Sequence, residues 1–344
     1  MSTFKTPSRR HFLRGAAATA GAAVLATPFA PAFAAYPDRN INVVVPTSAG
    51  GGADQMLRAF TAVWTKYLKA NFEPSFFPGA SGRVGYEVFM GKRDADCYNI
   101  LFGNMGPELL NWVLKKPTFK LDEYVYFGRV DNDPSVVFVG TKSKFRTIDD
   151  VIAEGKKRKL NVGTSRMAHP ASIGILALGD HTGAQFNLIP LAGGKNTIAG
   201  AVTGEMDLSV LPAGVVVARG EALRTLLVFD KKNALGATLN NAPAVNDHFK
   251  SRIPPLVSAR AFAIHTKGIE KYPDRFKVLE RTFKQVFADP EYKTSVEKLK
   301  GVWKLIEYGN IADCKEYADG ILSLGERYKA LLTGKSGTPE KKKS

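Results

Sequence analysis

The amino-acid sequence predicts an α/β protein whose parallel sheets carry helices on both faces. Three observations support this prediction. After residue 40, short β-branched or apolar runs alternate with stretches whose apolar residues recur at helical spacing. Several of these runs end at glycine-bearing turns that lead directly into helices. The 344 residues, less an N-terminal leader, suit two domains of ordinary size.

The first strand–helix unit sets the pattern. Residues 41–45 read INVVV and predict a buried strand, which Pro46 and the three glycines at 50–52 end. Asp54 is then expected to cap a helix. The apolar residues of that helix recur at helical spacing: Met56, Leu57, Phe60, Val63 and Trp64.

The alternation continues along the chain, with no repeat of solenoid length. Apolar runs bounded by turn residues predict strands at 99–102, 124–130, 136–140, 160–162, 186–191, 207–211 and 223–229. Helical spacing or a capping residue predicts helices after Thr147, at 172–179 and at 198–203, and two amphipathic helices beyond Tyr272. This order of strands and helices favours parallel sheets covered on both faces.

Residues 1–34 are predicted to be a twin-arginine signal peptide. Arg9 and Arg10 precede an alanine- and glycine-rich apolar stretch, and Ala32-Phe33-Ala34 is a small-x-small cleavage site. An uncleaved membrane anchor is the alternative, but the stretch is short and rich in alanine for a lipid-spanning segment. We therefore expect cleavage near Ala34 and a soluble periplasmic protein. Residues 336–344, which include three lysines, are expected to be a disordered basic tail.

The charge balance favours anionic partners. The formal net charge is +16, to which the leader contributes Lys5, Arg9, Arg10 and Arg14. Such a balance often indicates nucleic-acid binding, but export and the scattered basic residues argue against that class here. A preference for anionic solutes or a membrane surface remains.

The two cysteines, Cys97 and Cys314, leave two interpretations open. They could pair in an oxidising compartment, or they could be two separate, half-buried thiols, which is the interpretation favoured here. Neither cysteine has the spacing of a metal ligand.

Three glycine-bearing loops follow predicted strands, at residues 46–54, 163–172 and 191–197. Ligands of open α/β sheets bind beyond the carboxyl ends of strands, so these loops are expected to converge across a cleft. In the first loop, backbone N–H groups and the positive end of a helix would point at one place. That arrangement predicts an anion site.

Nucleotide, hydrolytic and metal sites find little support. The 50–54 loop, Gly-Gly-Gly-Ala-Asp, lacks the lysine–hydroxyl pair of a nucleotide loop and the glycine spacing of a dinucleotide turn. No Gly-x-Ser-x-Gly occurs, and His169 is the one histidine placed for chemistry, without an evident partner. The histidines lie apart from cysteine and carboxylate clusters, so neither a metal nor another cofactor is expected.

Four charged residues are candidates with structural alternatives. Arg166 and Lys195 lie within glycine loops, where a cation could pair with a carboxylate or simply face solvent. Asp54 and Asp207 could equally serve as a helix cap and a strand-start residue.

With these motifs in view, the chain resembles the Bug-type (TctC-like) solute-binding receptors of tripartite tricarboxylate transporters. Residues 36–54 look like their mature N-terminus, and the Phe-Pro-Gly-Ala-Ser-Gly-Arg-Val-Gly stretch at 77–85 looks like their next glycine turn. Further matches in the same order lie at 96–100, 190–194, 204–207, 223–228 and 288–291. The similarity covers most of residues 36–330.

The resemblance implies a type II periplasmic binding protein, a two-lobed Venus flytrap. Lobe 1 would comprise 35–131 plus 226–335, and lobe 2 would comprise 132–225. The family's glycine loops hold a carboxylate through backbone N–H groups and waters. The expected ligand-binding residues are Thr47, Ser48, Gly51, Gly52, Ala53, Asp54, Gly163, Thr164, Ser165, Arg166, His169, Gly193, Gly194, Lys195 and Asp207.

Several residues depart from the family pattern, and they are expected to contact the part of the ligand beyond its first carboxylate. Thr-Ser-Ala at 47–49 replaces Phe-Pro-Pro, Ala192 replaces a lysine, and the second loop is less rich in glycine and serine. Arg166 and His169 could contact a second carboxylate or an aromatic ring. We therefore expect a dicarboxylate or an aromatic acid as ligand.

The function that follows is a monomeric, non-enzymatic periplasmic receptor that delivers an organic acid to the permease subunits of a tripartite tricarboxylate transporter. The hinge between its lobes is expected near 129–136 and 223–229. Two alternatives stay open: an exported enzyme that acts on a carboxylated substrate, and a receptor that serves a sensor kinase.

Overall fold

Residues 36–191, 193–219 and 222–333 are described by the structure, a computed structural model. The predicted signal peptide at 1–34 and the predicted basic tail at 336–344 lie outside the described residues.

Twelve strands form two sheets. They are β1 (Ile41–Val45), β2 (Phe72–Phe76), β3 (Asn99–Asn104), β4 (Tyr124–Asp131), β5 (Asp133–Gly140), β6 (Leu160–Thr164), β7 (Phe186–Pro190), β8 (Leu208–Pro212), β9 (Leu223–Val228), β10 (Val257–Ser258), β11 (Arg260–His265) and β12 (Ile306–Gly309). The first sheet has the order β12-β4-β11-β3-β1-β2. The second has the order β10-β5-β8-β6-β7, with β9 also paired to β5.

Thirteen described helices flank these sheets. They are α1 (Gly52–Leu68), α2 (Arg83–Lys92), α3 (Met105–Leu114), α4 (Ile148–Lys157), α5 (Pro170–Thr182), α6 (Gly194–Thr203), α7 (Ala213–Val217), α8 (Val245–Phe249), α9 (Thr266–Lys271), α10 (Pro273–Ala288), α11 (Pro290–Lys298), α12 (Ile311–Arg327) and α13 (Lys329–Leu332).

Each sheet contains the same three-stranded parallel unit. In the first sheet β1 lies between β2 and β3, and in the second β6 lies between β7 and β8; all four pairings are parallel. The remaining strands pair antiparallel. The sheets are therefore mixed, whereas the sequence predicted mostly parallel ones. The two-lobed α/β class itself is confirmed.

The apolar core of the first sheet is aromatic on the face covered by α1 and α10. Phe60 of α1 lies 4.7 Å from Phe283 of α10 between ring centroids, and the Trp64 indole N–H donates to Thr282 Oγ1 at 2.9 Å. On the other face, a cluster of buried residues continues from α3 and α12 into α5 and the second sheet. The two sheets thus share part of one core.

The chain crosses between the sheets at two points. β4 ends at Asp131 in the first sheet and β5 begins at Asp133 in the second. The return occurs between Ser258 and Arg260, where β10 gives way to β11. The sequence predicted this return at residue 226, whereas β9 pairs with β5 along its length.

Two local features differ from the sequence prediction. The strand β2 was not predicted, because FEPSF carries a proline and lies at the sheet edge, where alternation is weak. Helix α1 begins earlier than expected: Gly51 occupies the N-cap position, and Asp54 lies within the first turn.

Candidate functional site

The amino ends of six helices lie at the carboxyl edges of the two parallel units. Helices α1, α2 and α3 follow β1, β2 and β3, and helices α5, α6 and α7 follow β6, β7 and β8. A helix start carries N–H groups that have no partner within the helix, and a partial positive charge. Both edges therefore favour an anion.

The two edges meet at helices α3 and α5. A Cβ atom at Gly106, in the first turn of α3, would lie 2.6 Å from Pro170 Cγ of α5 and 2.6 Å from the Tyr317 hydroxyl of α12. Because no side chain could be placed there, glycine lets the two helix starts approach closely. The Met105 N–H also donates to the Ala259 carbonyl at 2.9 Å, which joins α3 to the second crossing of the chain.

The first glycine loop is held from within by Asp54. Its Oδ2 accepts the Gly50 N–H at 2.7 Å, and its Oδ1 accepts from Arg58 Nε at 2.7 Å. Gly50 has φ +76°, a conformation that favours glycine. Asp54 is only 4% exposed, so it shapes the loop and is not a free ligand-facing acid.

The start of α1 remains open to solvent. Gly51 and Gly52 are exposed, and no described atom would contact a Cβ built on Gly52. No side chain caps the helix. Ser48 is also exposed, and the buried Thr47 Oγ1 has no hydrogen-bond partner among the described residues. These groups are available to an incoming anion.

Arg260 connects this loop to both chain crossings. Its Nη1 donates to the Gly52 carbonyl at 3.2 Å. Its Nε lies 2.9 Å from Asp131 Oδ2, and its Nη2 lies 3.5 Å from Asp133 Oδ2. Burial raises the pKa of Asp133 to about 7 despite the nearby Arg260 charge. This cluster borders a cavity of about 340 Å³ between α1, α7 and the segment after α11.

The second loop is partly buried and closely hydrogen-bonded. The hydroxyl groups of Thr164 and Ser172 lie 2.8 Å apart, and both donate to the Arg166 carbonyl, at 3.2 and 3.0 Å. Both side chains are fully buried. These hydrogen bonds fix the backbone of the loop at Arg166, the residue whose side chain the loop presents.

His169 has a structural role that the sequence analysis did not predict. Its Nδ1 accepts the Ala171 N–H at 3.1 Å and caps helix α5, and the residue is 3% exposed. Burial lowers the pKa of His169 to about 3, and the Arg166 charge adds to this effect. The imidazole is therefore neutral, and its Nδ1 is occupied by the helix cap.

Arg166 is a desolvated cation at the meeting of the two edges. Burial lowers the pKa of the Arg166 guanidinium, whereas the negative charge of Glu108 in α3 acts to raise it. Among the described residues, its guanidinium forms neither an ion pair nor a hydrogen bond. A desolvated guanidinium of this kind favours an anionic partner.

Glu108 is the functional candidate that the sequence analysis missed. It lies in the first turn of α3 and is 2% exposed. A Cβ at Gly82 would lie 2.9 Å from its Cγ, and one at Gly103 would lie 2.8 Å from its Oε2. The Tyr86 hydroxyl donates to Oε2 at 3.2 Å. One sequence signal was available: a single acid in the otherwise apolar start MGPELL, directly after a strand.

The third loop is joined to the second by backbone hydrogen bonds. The Leu191 N–H donates to the Thr164 carbonyl at 2.8 Å, and the Gly193 N–H donates to the Ser165 carbonyl at 3.1 Å. Gly194 begins α6, and the next residue, Lys195, is exposed. The structure thus brings the second and third loops together, with Lys195 on the outside.

Asp207 lies away from these loops, at the opposite end of the second sheet. Its carboxylate accepts two hydrogen bonds from Arg158, at 2.6 and 3.1 Å, and one from the Asn161 N–H at 2.8 Å. Asn161 lies at the start of β6, whereas the second loop follows the end of that strand. The structure therefore places Asp207 in a structural ion pair, apart from the three loops.

Metal and thiol chemistry find no support in the described part of the chain. Within 36–191, 193–219 and 222–333, no group of three or more His, Cys, Asp or Glu residues could hold a metal ion. Cys97 and Cys314 are both buried and unpaired, and burial raises the pKa of each thiol to about 12. Among the described helices, none has the length and apolar character needed to cross a membrane.

Residues 6–26 match the model for the twin-arginine translocation pathway signal sequence. In sequence, the chain is 27% identical to Protein BugT of Bordetella pertussis over 236 residues, which cover 67% of this chain and 71% of that protein. The predictions of twin-arginine export to the periplasm and of a Bug-type resemblance are confirmed.

Two solved structures share the fold. A TctC solute-binding protein from Polaromonas, without ligand, aligns with TM-score 0.70 and 21% identity over 87% of this chain and 99% of that one. An R. palustris protein solved with adipate aligns with TM-score 0.69 and 17% identity over 87% and 98%. The chain therefore has the two-lobed fold of these binding proteins.

Proposed function

We propose that this protein is a periplasmic solute-binding protein that captures an organic acid between its two sheets and delivers it, unaltered, to a membrane permease. The observation that carries the proposal is the meeting of two helix-start edges, one open at Gly51 and Gly52 and the other presenting Arg166. Both edges offer positive potential, and together they suit a ligand with an anionic group at each end.

The first loop suits a carboxylate because it offers backbone donors on a fixed frame. Asp54 restrains the loop through Gly50, so the N–H groups of Gly52 and Ala53 stay directed outward along the axis of α1. Thr47 and Ser48 add hydroxyl donors beside them. A carboxylate here would be held with little rearrangement of the protein.

The second and third loops suit the other end of the ligand. Gly163, Thr164 and Ser165 form a rigid turn under Arg166, while Gly193 and Gly194 close its side. Lys195 would contribute from the rim. We favour a dicarboxylate over an aromatic acid, because no described aromatic ring stacks near Arg166 and because adipate occupies one structural relative.

Capture would involve a hinge motion about the two crossings, at Asn132 and Ala259. Both are single residues between strands of different sheets. Closure would bring the first loop toward the second and enclose the acid.

The first experiment is a thermal-shift screen of the purified protein against organic acids. We expect at least one acid to raise the melting temperature, because a ligand that binds only the native state stabilises it. NMR of that acid after prolonged incubation should find it unchanged. A flat screen would refute the receptor proposal, and conversion of the acid would favour an exported enzyme.

The partner is tested in cells. If the protein serves a tripartite tricarboxylate permease as a monomer, deleting its gene should abolish uptake of the radiolabelled acid found in the screen. A receptor for a sensor kinase would leave uptake intact and abolish the transcriptional response instead. Size-exclusion chromatography with light scattering tests the monomeric state.

A further inference from the structure

Glu108, a buried acid, and Arg166, a half-buried cation, come from opposite edges of the site. Glu108 belongs to the first turn of α3 on the first sheet, and Arg166 belongs to the loop after β6 on the second. The close approach of Gly106 to Pro170 brings these two segments into contact. Among the described residues, neither Glu108 nor Arg166 forms an ion pair.

The space around Glu108 is built for its carboxyl group. Gly82 and Gly103 leave the room that a side chain would fill, and Tyr86 donates to Oε2. The Tyr86 hydroxyl also bonds to Tyr126. A polar chain therefore leads from the interior of the first lobe to the edge where Arg166 lies.

We propose that Glu108 is a specificity-determining residue, which in its protonated form joins Arg166 in binding the second carboxylate of a dicarboxylate. The inference rests on the proposed function and names the class of acid. A protonated Glu108 donates a hydrogen bond to the incoming carboxylate, whereas an ionised Glu108 repels it. Wherever Glu108 is ionised in the free protein, binding therefore takes up one proton from solvent.

The titration of Glu108 follows from the groups that face it. They are Tyr86 of α2, Tyr124 and Tyr126 of β4, Tyr317 of α12, the Asn104 N–H and Arg166. Burial raises the pKa of Glu108 to about 8, although the Asn104 N–H, the Arg166 charge and the Tyr86 hydroxyl oppose this. Of these groups only Arg166 is a cation. A carboxylate bound to Arg166 would cancel the influence of its positive charge on the pKa of Glu108.

The test is titration calorimetry at pH 6.5, 8 and 9.5. The probes are succinate and adipate, with butyrate and hexanoate as monocarboxylates and aspartate as an acid that carries an ammonium group. For the wild type, dicarboxylate affinity should fall about 30-fold between pH 6.5 and 9.5, roughly tenfold per pH unit above 8. Two buffers of different ionisation enthalpy should reveal uptake of about one proton at the higher pH.

Glu108→Gln keeps the size and a hydrogen-bond donor but cannot ionise. It should bind the dicarboxylate at pH 6.5 within about threefold of the wild type, and the pH dependence should disappear. Glu297→Gln is the matched control, because Glu297 is exposed on α11, and it should keep the wild-type slope. Tyr86→Phe provides a second test should Glu108→Gln fold poorly. Loss of the Tyr86 hydroxyl removes a hydrogen bond to the Glu108 carboxylate. The pH at which dicarboxylate affinity begins to fall should therefore be higher in this variant.

The possible failures are distinguishable. A flat wild-type profile, or an unchanged slope in Glu108→Gln, would overturn the inference. So would aspartate binding that strengthens with pH, because Glu108 would then act as an anion. If monocarboxylates bind and dicarboxylates do not, the inference falls and the proposed function stands. If no organic acid binds, both fall.

Discussion

The two central loops of the site follow equivalent strands but are built differently. The loop after β1 is exposed, rich in glycine and ends at a helix without a side-chain cap. The loop after β6 is mostly buried at its two ends and half-buried between them, and its helix is capped by His169. One loop thus offers backbone donors, and the other offers the side chain of Arg166.

The difference indicates a division of labour across the cleft. Backbone N–H groups are the same whatever the side chains, so the first loop can hold any carboxylate. A guanidinium on a rigid loop is sensitive to the shape and charge of its partner. Selectivity should therefore lie with the second edge, and each prediction below tests that contrast.

The largest effect is expected at Arg260, which supports the first loop from behind. Arg260→Met should lower the free energy of unfolding by about 3–5 kcal/mol, because it removes the cation that pairs with the buried Asp131 and Asp133. Urea unfolding measures this loss. Burial raises the pKa values of both acids, so the folded state binds the extra protons and the loss should grow as pH rises through 7.

A charge-neutral control separates packing from charge in this cluster. Adding Asp131→Asn and Asp133→Asn to Arg260→Met should recover most of the lost stability, since no buried charge remains. Equal stability of the single and triple variants would contradict an electrostatic origin.

Arg166→Ala should give the next largest effect, on ligand affinity. Hydrogen bonds to a charged group contribute about 1.5–3 kcal/mol, so affinity for the best acid of the screen should fall roughly 10- to 100-fold. Lys195→Ala is the matched control, because that cation is exposed on the third loop. It should change affinity less than about threefold by calorimetry. If Lys195→Ala and Arg166→Ala lost equal affinity, selectivity would lie at the rim of the site and not at the second loop.

His169→Ala tests the rigidity of the second loop. Loss of a helix cap should cost about 0.5–2 kcal/mol in urea unfolding at pH 7, and His169→Asn should recover part of it. Because the pKa of His169 is lowered to about 3 in the folded state, its contribution is complete above pH 6.5. It is then lost as pH falls toward 3, by up to about 1.4 kcal/mol per unit. His169→Asn should therefore be less acid-sensitive than the wild type between pH 6.5 and 4.5.

Local signals were sufficient for the central strands and for the glycine loops that follow them. The runs at 41–45 and 160–162 are short, apolar and ended by recognisable turn residues, and both became central strands. The edge strand β2 lacks such a pattern because Pro74 interrupts it. The return to the first sheet depends on β10, whose two residues pair with a strand more than 120 positions earlier. No local pattern specifies such a contact.

The candidate site was harder to predict than the fold, because burial decides what a polar residue does. Arg166 and His169 lie three positions apart in one loop, yet one is a desolvated cation and the other is a neutral helix cap. In the sequence Glu108 is one acid at the start of a helix, and only the folded chain packs Gly82, Gly103 and Tyr86 around it. Those neighbours come from separate elements, so their meeting is a property of the tertiary structure.

Asp207→Asn should have the smallest effect and tests whether selectivity is confined to the cleft. Asp207 is half-buried and pairs with the exposed Arg158 at the amino end of β6 and β8, so it lies a full strand length from the second loop. Ligand affinity should stay within about twofold of the wild type, and the melting temperature should fall by no more than about 3 °C. A loss of affinity comparable to that of Arg166→Ala would mean that the second sheet transmits changes from one end to the other. In that case the contrast between the two loops would no longer explain selectivity by direct contact alone.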